Sequence, residues 1–309
     1  VKILPGARFW TLRVLSRVMK KNPPDVLFVP SLVLPLSLPK KSVVTIHDTA
    51  FKHLRKSYSF KEYHYLDFSA KAAVKKATKI IVPSLATKED LIKFYKCPSD
   101  KIKVIYHGFE PAKFNHEKLT FDTDFFKHFK IDERMKYVFF VGRLESKKNI
   151  FGLMKAFNEF LKTNSDYHLI MAGKRGVGFN KIYKKALKEN ILANVIMPGY
   201  VTEEEKVTLY KHCKIFALPS LYEGFGLPIL EAFYYEKPVL TSDCSSLKEV
   251  GGDAVEYCDP ENFGSIAEGL KKLADDKDYS QKLIVKGKER LKMFSWDVCA
   301  KETLDVLIS

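Results

Sequence analysis

The chain has 309 residues, 46% hydrophobic and 29% charged, so it buries ample core and is long enough for two domains rather than one. No apolar run reaches the roughly 18 to 20 residues of a membrane span, and no basic start leads into a secretory apolar core; a globular protein of the cytoplasm is expected. Cys97, Cys213, Cys244, Cys258 and Cys299 are odd in number, scattered and never arranged as Cys-x-x-Cys, which argues against a disulfide framework or a zinc site.

The net charge of +15 is unevenly placed, with 22 Lys and Arg against 8 Asp and Glu in residues 1–115, and 30 against 29 in the remainder. A basic N-terminal half points to an anionic partner such as a membrane surface, with lysines that merely keep the protein soluble as the plain alternative. At the start of that half, Leu12, Leu15, Val18 and Met19 recur at helical spacing within residues 9–21, with Arg13, Arg17, Lys20 and Lys21 on other faces. Such a helix rests on an anionic bilayer or packs on its own sheet. No aromatic RNA-binding motif or Cys/His finger accompanies the basic residues, so nucleic acid is not expected as a partner.

Short β-branched runs alternate with amphipathic stretches, the pattern of parallel sheets with crossover helices. Strands are predicted at 26–29, 43–46, 80–82 and 103–105, with helices at 60–77 and 84–95, the latter capped by Ser84. Residues 116–135 lose this rhythm and read as a connection. The alternation then restarts, with strands at 137–141, 168–171, 195–197, 215–217 and 239–240. Helices are predicted at 148–162, 180–189, 203–212, 228–235, 263–274 and 279–293, followed by a last one over 295–308 behind Ser295. The implied domains are 1–115, 136–293 and a C-terminal helix in 294–309. The chain starts with Val1 rather than methionine, which is read as a fragment.

Two segments carry chemistry. Pro219 to Glu231 follows a predicted strand and opens a helix, with Gly224 and Gly226 flanking Phe225, then Leu227 and Pro228. Glycines allow close backbone approach, and the helix start offers unpaired N–H groups. Glu223 and Glu231 are spaced to clamp vicinal hydroxyls from one side; a helix cap plus a solvated glutamate is the plainer reading. Gly142-Arg143-Leu144-Glu145-Ser146-Lys147-Lys148-Asn149 also lies between a strand and a helix, and Arg143 with Lys148 suits a diphosphate or, more simply, a wet helix start. Asp122-Thr123-Asp124 has the form of a metal-holding pair but follows no strand, and Gly173 to Gly178 matches no phosphate-loop spacing; the latter reads as a strand-to-helix turn.

Taken together, the Gly-Arg-Leu-x-x-x-Lys-Asn stretch and the Glu-x7-Glu spacing resemble the retaining GT-B glycosyltransferases of family 4. The likeness extends to VVTIHD (43–48), IIVPS (80–84), VIYHG (104–108), Gly199-Tyr200-Val201 and residues 241–254. It implies an α/β fold of two Rossmann-like domains facing a cleft, the first incomplete here because the family's opening strand and glycine-rich loop have no counterpart before Val1.

The resemblance also implies roles. Arg143 and Lys148, beside Gly142, would hold the donor diphosphate, Glu231 the ribose, and Glu223 with Gly224, Phe225, Gly226 and Leu227 the transferred sugar. His47 would face that sugar and Gly199, Tyr200 and Val201 the base. The implied activity is metal-independent, retaining transfer of a hexose from GDP-mannose or a UDP-hexose to a glycan or lipid-linked acceptor at the inner membrane face, with no cofactor. The alternative is an impaired chain that binds a nucleotide sugar or anionic surface without turnover. An epimerase or phosphorylase would want further acid/base groups or a pyridoxal-phosphate lysine, neither of which is identified.

Overall fold

The computed structural model describes residues 10–110, 121 and 123–309. In the first part of the chain a π-helical turn (Thr11–Leu15) runs into α1 (Ser16–Lys21). Strands β1 (Val26–Val29), β2 (Lys41–Thr45), β3 (Lys79–Val82) and β4 (Ile102–Val104) then form a parallel sheet in that spatial order. Between them lie α2 (Ala50–His53), α3 (Phe60–Lys76) and α4 (Leu85–Tyr95). Side chains alternate across a strand, and here the two sets separate cleanly. Val44, Ile46, Ile80 and Val82 pack with Met19, Ala73 and Leu91 on one side, whereas Val43 and Ile81 meet Ile105 on the other. Ser84 caps α4 by accepting from Thr87 N at 3.1 Å.

The helix at 11–21 shows which of its two readings holds. Met19 is buried in the core on the first side of the sheet, and Leu15 and Val18 pack against it. Its apolar stripe is therefore spent on the protein's own sheet, not left for a bilayer.

The second part begins with α5 (Asp124–Phe129), inside the stretch expected to be a connection; Phe126 is buried with Phe121 4.8 Å away. The metal-like pair is split by this boundary, with Asp124 opening α5 and Asp122 outside the described residues. Then come β5 (Lys136–Val141), α6 (Ile150–Phe160), β6 (Tyr167–Ala172), α7 (Phe179–Lys188), β7 (Val195–Gly199), α8 (Glu203–His212) and β8 (Ile215–Leu218). The series closes with α9 (Leu227–Tyr234), β9 (Val239–Ser242), α10 (Leu247–Gly251), β10 (Glu256–Cys258), α11 (Phe263–Asp275) and α12 (Lys277–Leu291). The six strands are parallel in the order β10-β9-β8-β5-β6-β7. Helices on both faces require central strands that are apolar throughout, and Val138 to Phe140 and Ile215 to Leu218 are each fully buried.

Helix α6 and two short elements differ most from the sequence reading. Helix α6 starts at Ile150 rather than 148, because 146–148 form a 3-10 turn and Asn149 adopts a left-handed φ of 53°, a conformation asparagine tolerates. Strand β10 and helix α10 were not foreseen; three and five residues are too few to show a period.

The last helix, α13 (Trp296–Ile308), changes the division of the chain. The described residues up to Gly108 group with Ser295–Ser309 in one compact unit, and the described residues of Phe109–Phe294 form the other, so the boundary falls before residue 115 and 294–309 is no separate appendage. Val306 is buried with Val43, Ile81 and Ile105, supplying the layer that the second face of the first sheet needs. A Cβ on Gly108 would sit 2.0 Å from Trp296 N, so the chain passes too close there for any other residue.

Trp10 and Trp296 are the two tryptophans of the chain, and both belong to the first unit. Val306→Asp, which buries an unpaired carboxylate in that layer, is expected to destabilise this unit by about 3 kcal/mol. Urea unfolding followed by tryptophan fluorescence measures it; an unshifted midpoint would contradict the packing role of α13.

Candidate functional site

In the second sheet the chain runs outward from β5 through β6 to β7, then returns to place β8 on the other side of β5. Where strand order reverses in this way, the loops leaving the carboxyl ends diverge and leave a crevice. Residues 142–149 leave β5 there, and 219–226 leave β8. The two chemistry-bearing segments of the sequence are thus neighbours across the switch point.

Backbone bonds hold these loops together. Gly142 N donates to Ala172 O at 3.0 Å, Leu144 N to Lys174 O at 2.9 Å, Gly176 N to Leu144 O at 2.9 Å, and Leu221 N to Lys147 O at 2.9 Å. The approach is so close that a Cβ on Gly173, whose φ is +141°, would lie 1.8 Å from Gly142 O. The 173–178 loop is the β6-to-α7 turn, and with Leu144 and Gly199 it borders a cavity of about 520 Å³ that also meets Arg175, Phe179 and Tyr183.

Lys148 and Glu223 form the centre of this arrangement. Lys148 Nζ lies 2.5 Å from Glu223 Oε1, and Ser220 Oγ donates to the same oxygen at 2.7 Å. Glu223 is buried, its N–H donates to Ser245 Oγ at 3.0 Å, and Ser246 Oγ donates to the carbonyls of Glu223 and Phe225. Gly226, at φ +118°, then turns the chain into α9, with Leu227 and Pro228 in its first turn. The serines at 220, 245 and 246 were not singled out in the sequence; their signal is composition alone, since small hydroxyl residues are also common loop fillers.

Other predicted residues are held differently. Arg143 is largely exposed, with Nε 3.6 Å from Glu145 Oε2, and has no bond to the Lys148–Glu223 pair. Glu231 sits on α9 and is anchored to α8: Lys206 Nζ donates to Oε1 at 2.9 Å and Tyr210 Oη to Oε2 at 2.8 Å. Burial works against the charge of Lys206, but Glu231 and Glu203 outweigh it and raise its pKa. Burial and Glu231 also raise the Tyr210 hydroxyl far above its ordinary range. Lys206 was missed because in Glu203-Glu204-Glu205-Lys206 it reads as a helix-surface charge. Gly199, Tyr200 and Val201 link β7 to α8, with the Tyr200 ring exposed and Lys174 Nζ 4.9 Å above it.

His47 belongs to the first unit, just beyond β2. It is exposed, its Nε2 lies 3.1 Å from Pro30 O, and its ring centroid is 5.5 Å from that of His107.

Comparison with known proteins decides the family. The sequence model described as glycosyl transferases group 1 matches residues 121–290, and that described as glycosyltransferase family 4 matches residues 3–113. The chain belongs to the glycosyl transferases group 1. Among curated relatives of this glycosyltransferase, O-antigen chain mannosyltransferase B of Escherichia coli is 27% identical over 293 residues, 89% of this chain and 72% of that one. Among solved structures, sucrose-phosphate synthase from Thermosynechococcus elongatus superposes with a TM-score of 0.75 at 18% identity, over 94% of this chain and 75% of the other. HepE of Anabaena, solved with UDP and glucose, gives 0.73 at 16% identity, over 95% and 80%. These likenesses give the glycosyltransferase the GT-B fold, whose two Rossmann-like sheets are those described above.

Two outcomes follow. Glu223→Ala strands the Lys148 ammonium and is expected to cost about 3 kcal/mol, while adding Lys148→Met restores part of the loss. A double-mutant cycle in urea checks the coupling, which would vanish if the pair were solvated. Separately, burial and the charge of His47 push His107 down to about 4 from 6.5. The unfolded chain takes up a proton that the folded chain resists, so this contribution to the first unit is complete above about 6.5 and is lost as pH falls toward 4. Tryptophan-monitored urea midpoints should fall across that window, and less steeply in His107→Phe; identical slopes would refute it.

Proposed function

We propose that this glycosyltransferase moves a hexose of the mannose or glucose type from a nucleotide diphosphate sugar to a glycan or lipid-linked acceptor at the cytoplasmic membrane face, with retention of configuration. The observation that carries the reading is the buried Lys148–Glu223 pair at the sheet's switch point, with Arg143 on the same loop. GDP-mannose is the first donor to test, because the O-antigen relative is a mannosyltransferase; UDP-glucose follows, since HepE was solved with UDP and glucose.

In this reading, cleavage of the anomeric C–O bond leaves positive charge on the sugar ring and negative charge on the departing phosphate. Arg143 forks onto that phosphate from the solvent side. Lys148 has three N–H donors, of which one serves Glu223, and the others turn to the phosphate. A charged pair already fixed in place loses little by reorganising as the charge develops. Glu223 and the backbone of Gly224, Phe225, Gly226 and Leu227 hold the sugar. Glu231 accepts from the ribose hydroxyls; each of its oxygens keeps a lone pair beyond those used by Lys206 and Tyr210. Gly142 allows the phosphate close to the backbone, and the exposed ring of Tyr200 with Gly199 and Val201 meets the base. His47 is assigned to the transferred sugar. The acceptor attacks from the face that the leaving phosphate vacates and gives its proton to that phosphate, with no metal ion and no covalent intermediate.

Calorimetry with GDP, UDP and ADP tests donor binding, and product analysis with the matching sugars tests transfer. Arg143→Ala and Lys148→Ala are expected to lower kcat/KM by about 100-fold or more. If none of the nucleotides binds the folded chain, the proposal fails. Binding without either transfer or donor hydrolysis would mean a chain that only holds the nucleotide sugar.

A further inference from the structure

Among the described residues no helix is long and apolar enough to cross a membrane, and the apolar stripe of α1 is already spent on the first sheet. Helix α3 is different. Phe60 is 71% exposed, Phe68 63% and Tyr65 41%, three large aromatic side chains in contact with water on one 17-residue helix. His64, Lys61, Lys71, Lys75 and Lys76 are exposed on the same helix.

These eight residues share one side. At 100° per residue, the order around the helix is Phe60, Lys71, His64, Lys75, Phe68, Lys61, Tyr65, Lys76, within an arc of about 160°. The remaining arc carries the buried Ala70 and Ala73 at its centre and the exposed Glu62, with the buried Asp67 beside Phe60 and Ser69 beside Lys76 at its edges. Asp67 locks that side down, accepting from Lys52 Nζ at 3.1 Å and Tyr95 Oη at 2.9 Å. Lys71 pairs with Asp67 at 2.8 Å, while Lys61, Lys75 and Lys76 have no acidic partner among the described residues. Rings and ammonium groups thus alternate around a rigidly seated helix face.

We infer that this face of α3 seats the protein on an anionic bilayer. Exposed aromatic rings have a large apolar area to remove from water, and a lipid headgroup layer accepts rings while its phosphates meet the lysines. The charge of the surrounding chain, 22 basic against 8 acidic residues over 1–115, adds attraction of the same sign. A second copy of the chain is disfavoured as occupant, since bringing two such lysine arrays together is repulsive. The inference rests on the charge and exposure of α3, and it stands or falls separately from the donor chemistry.

Sedimentation of the whole chain with phosphatidylglycerol vesicles, against phosphatidylcholine vesicles, is the test. The parent is expected to bind the anionic vesicles at least tenfold more strongly than the neutral ones. Phe60→Ser/Phe68→Ser should lose at least tenfold of that binding, and Lys61→Glu/Lys75→Glu/Lys76→Glu should lose it together with its salt dependence, while nucleotide binding stays unchanged in both. Phe68→Trp gives a readout independent of folding losses: the emission of the added indole should shift to the blue and be quenched by brominated acyl chains. No binding by the parent, binding unaffected by the paired serines, emission of the Phe68→Trp variant indifferent to brominated lipid, or a concentration-dependent dimer that needs Phe60 and Phe68 would each overturn the inference.

Discussion

Two loops of the second sheet, 142–149 and 173–178, approach one another more closely than a side chain on Gly173 would permit, and a third, 219–226, is bonded to the first; the arrangement of the site rests on these contacts. Gly173 lies against Gly142 with no room for a Cβ. Leu144 then pairs with the 173–176 loop, and Leu221 with Lys147. The result is that Lys148 and Glu223, 75 positions apart in the chain, meet at 2.5 Å in a largely buried setting. Removing two charges from water is costly unless each finds a partner and further hydrogen bonds. Ser220 supplies such a bond to Glu223, and the two serines after β9 fix the backbone around it.

The same logic extends along α9 to Glu231, whose carboxylate is gripped by two groups on α8. One carboxylate is thus oriented by the loop after β5 and the other by a helix, so neither depends on the rotamer of the other. Each carboxylate is thus preorganised by partners of its own, which fixes its geometry without help from the other.

The first unit solves a different problem. Four strands that follow one another in simple spatial order receive α1, α3 and α4 on one side, and the chain leaves the other side to be covered by its final helix. Because α1 fills core, the basic character of this unit finds its exposed aromatic company on α3 instead. Amphipathic spacing in α1 and a mixed aromatic and lysine face in α3 thus have opposite fates, decided by which side of each helix meets the sheet.

Much of this was legible from residue order. Strand β1, helix α8 and the caps Ser84 and Ser295 fall at the positions read from the sequence, since period and capping chemistry are local properties. Both glycine-flanked segments were legible for the same reason, and so was the family they mark. Non-local packing decided the rest. That Lys148 pairs with Glu223 while Glu231 turns to Lys206 and Tyr210 depends on strand order, which no window of sequence contains. The return of residues 295–309 to the first unit depends on an uncovered sheet face laid down far earlier in the chain, and burial of α1 depends on the same sheet. Local propensity is written residue by residue, but contact between distant residues exists only after the chain has folded back on itself.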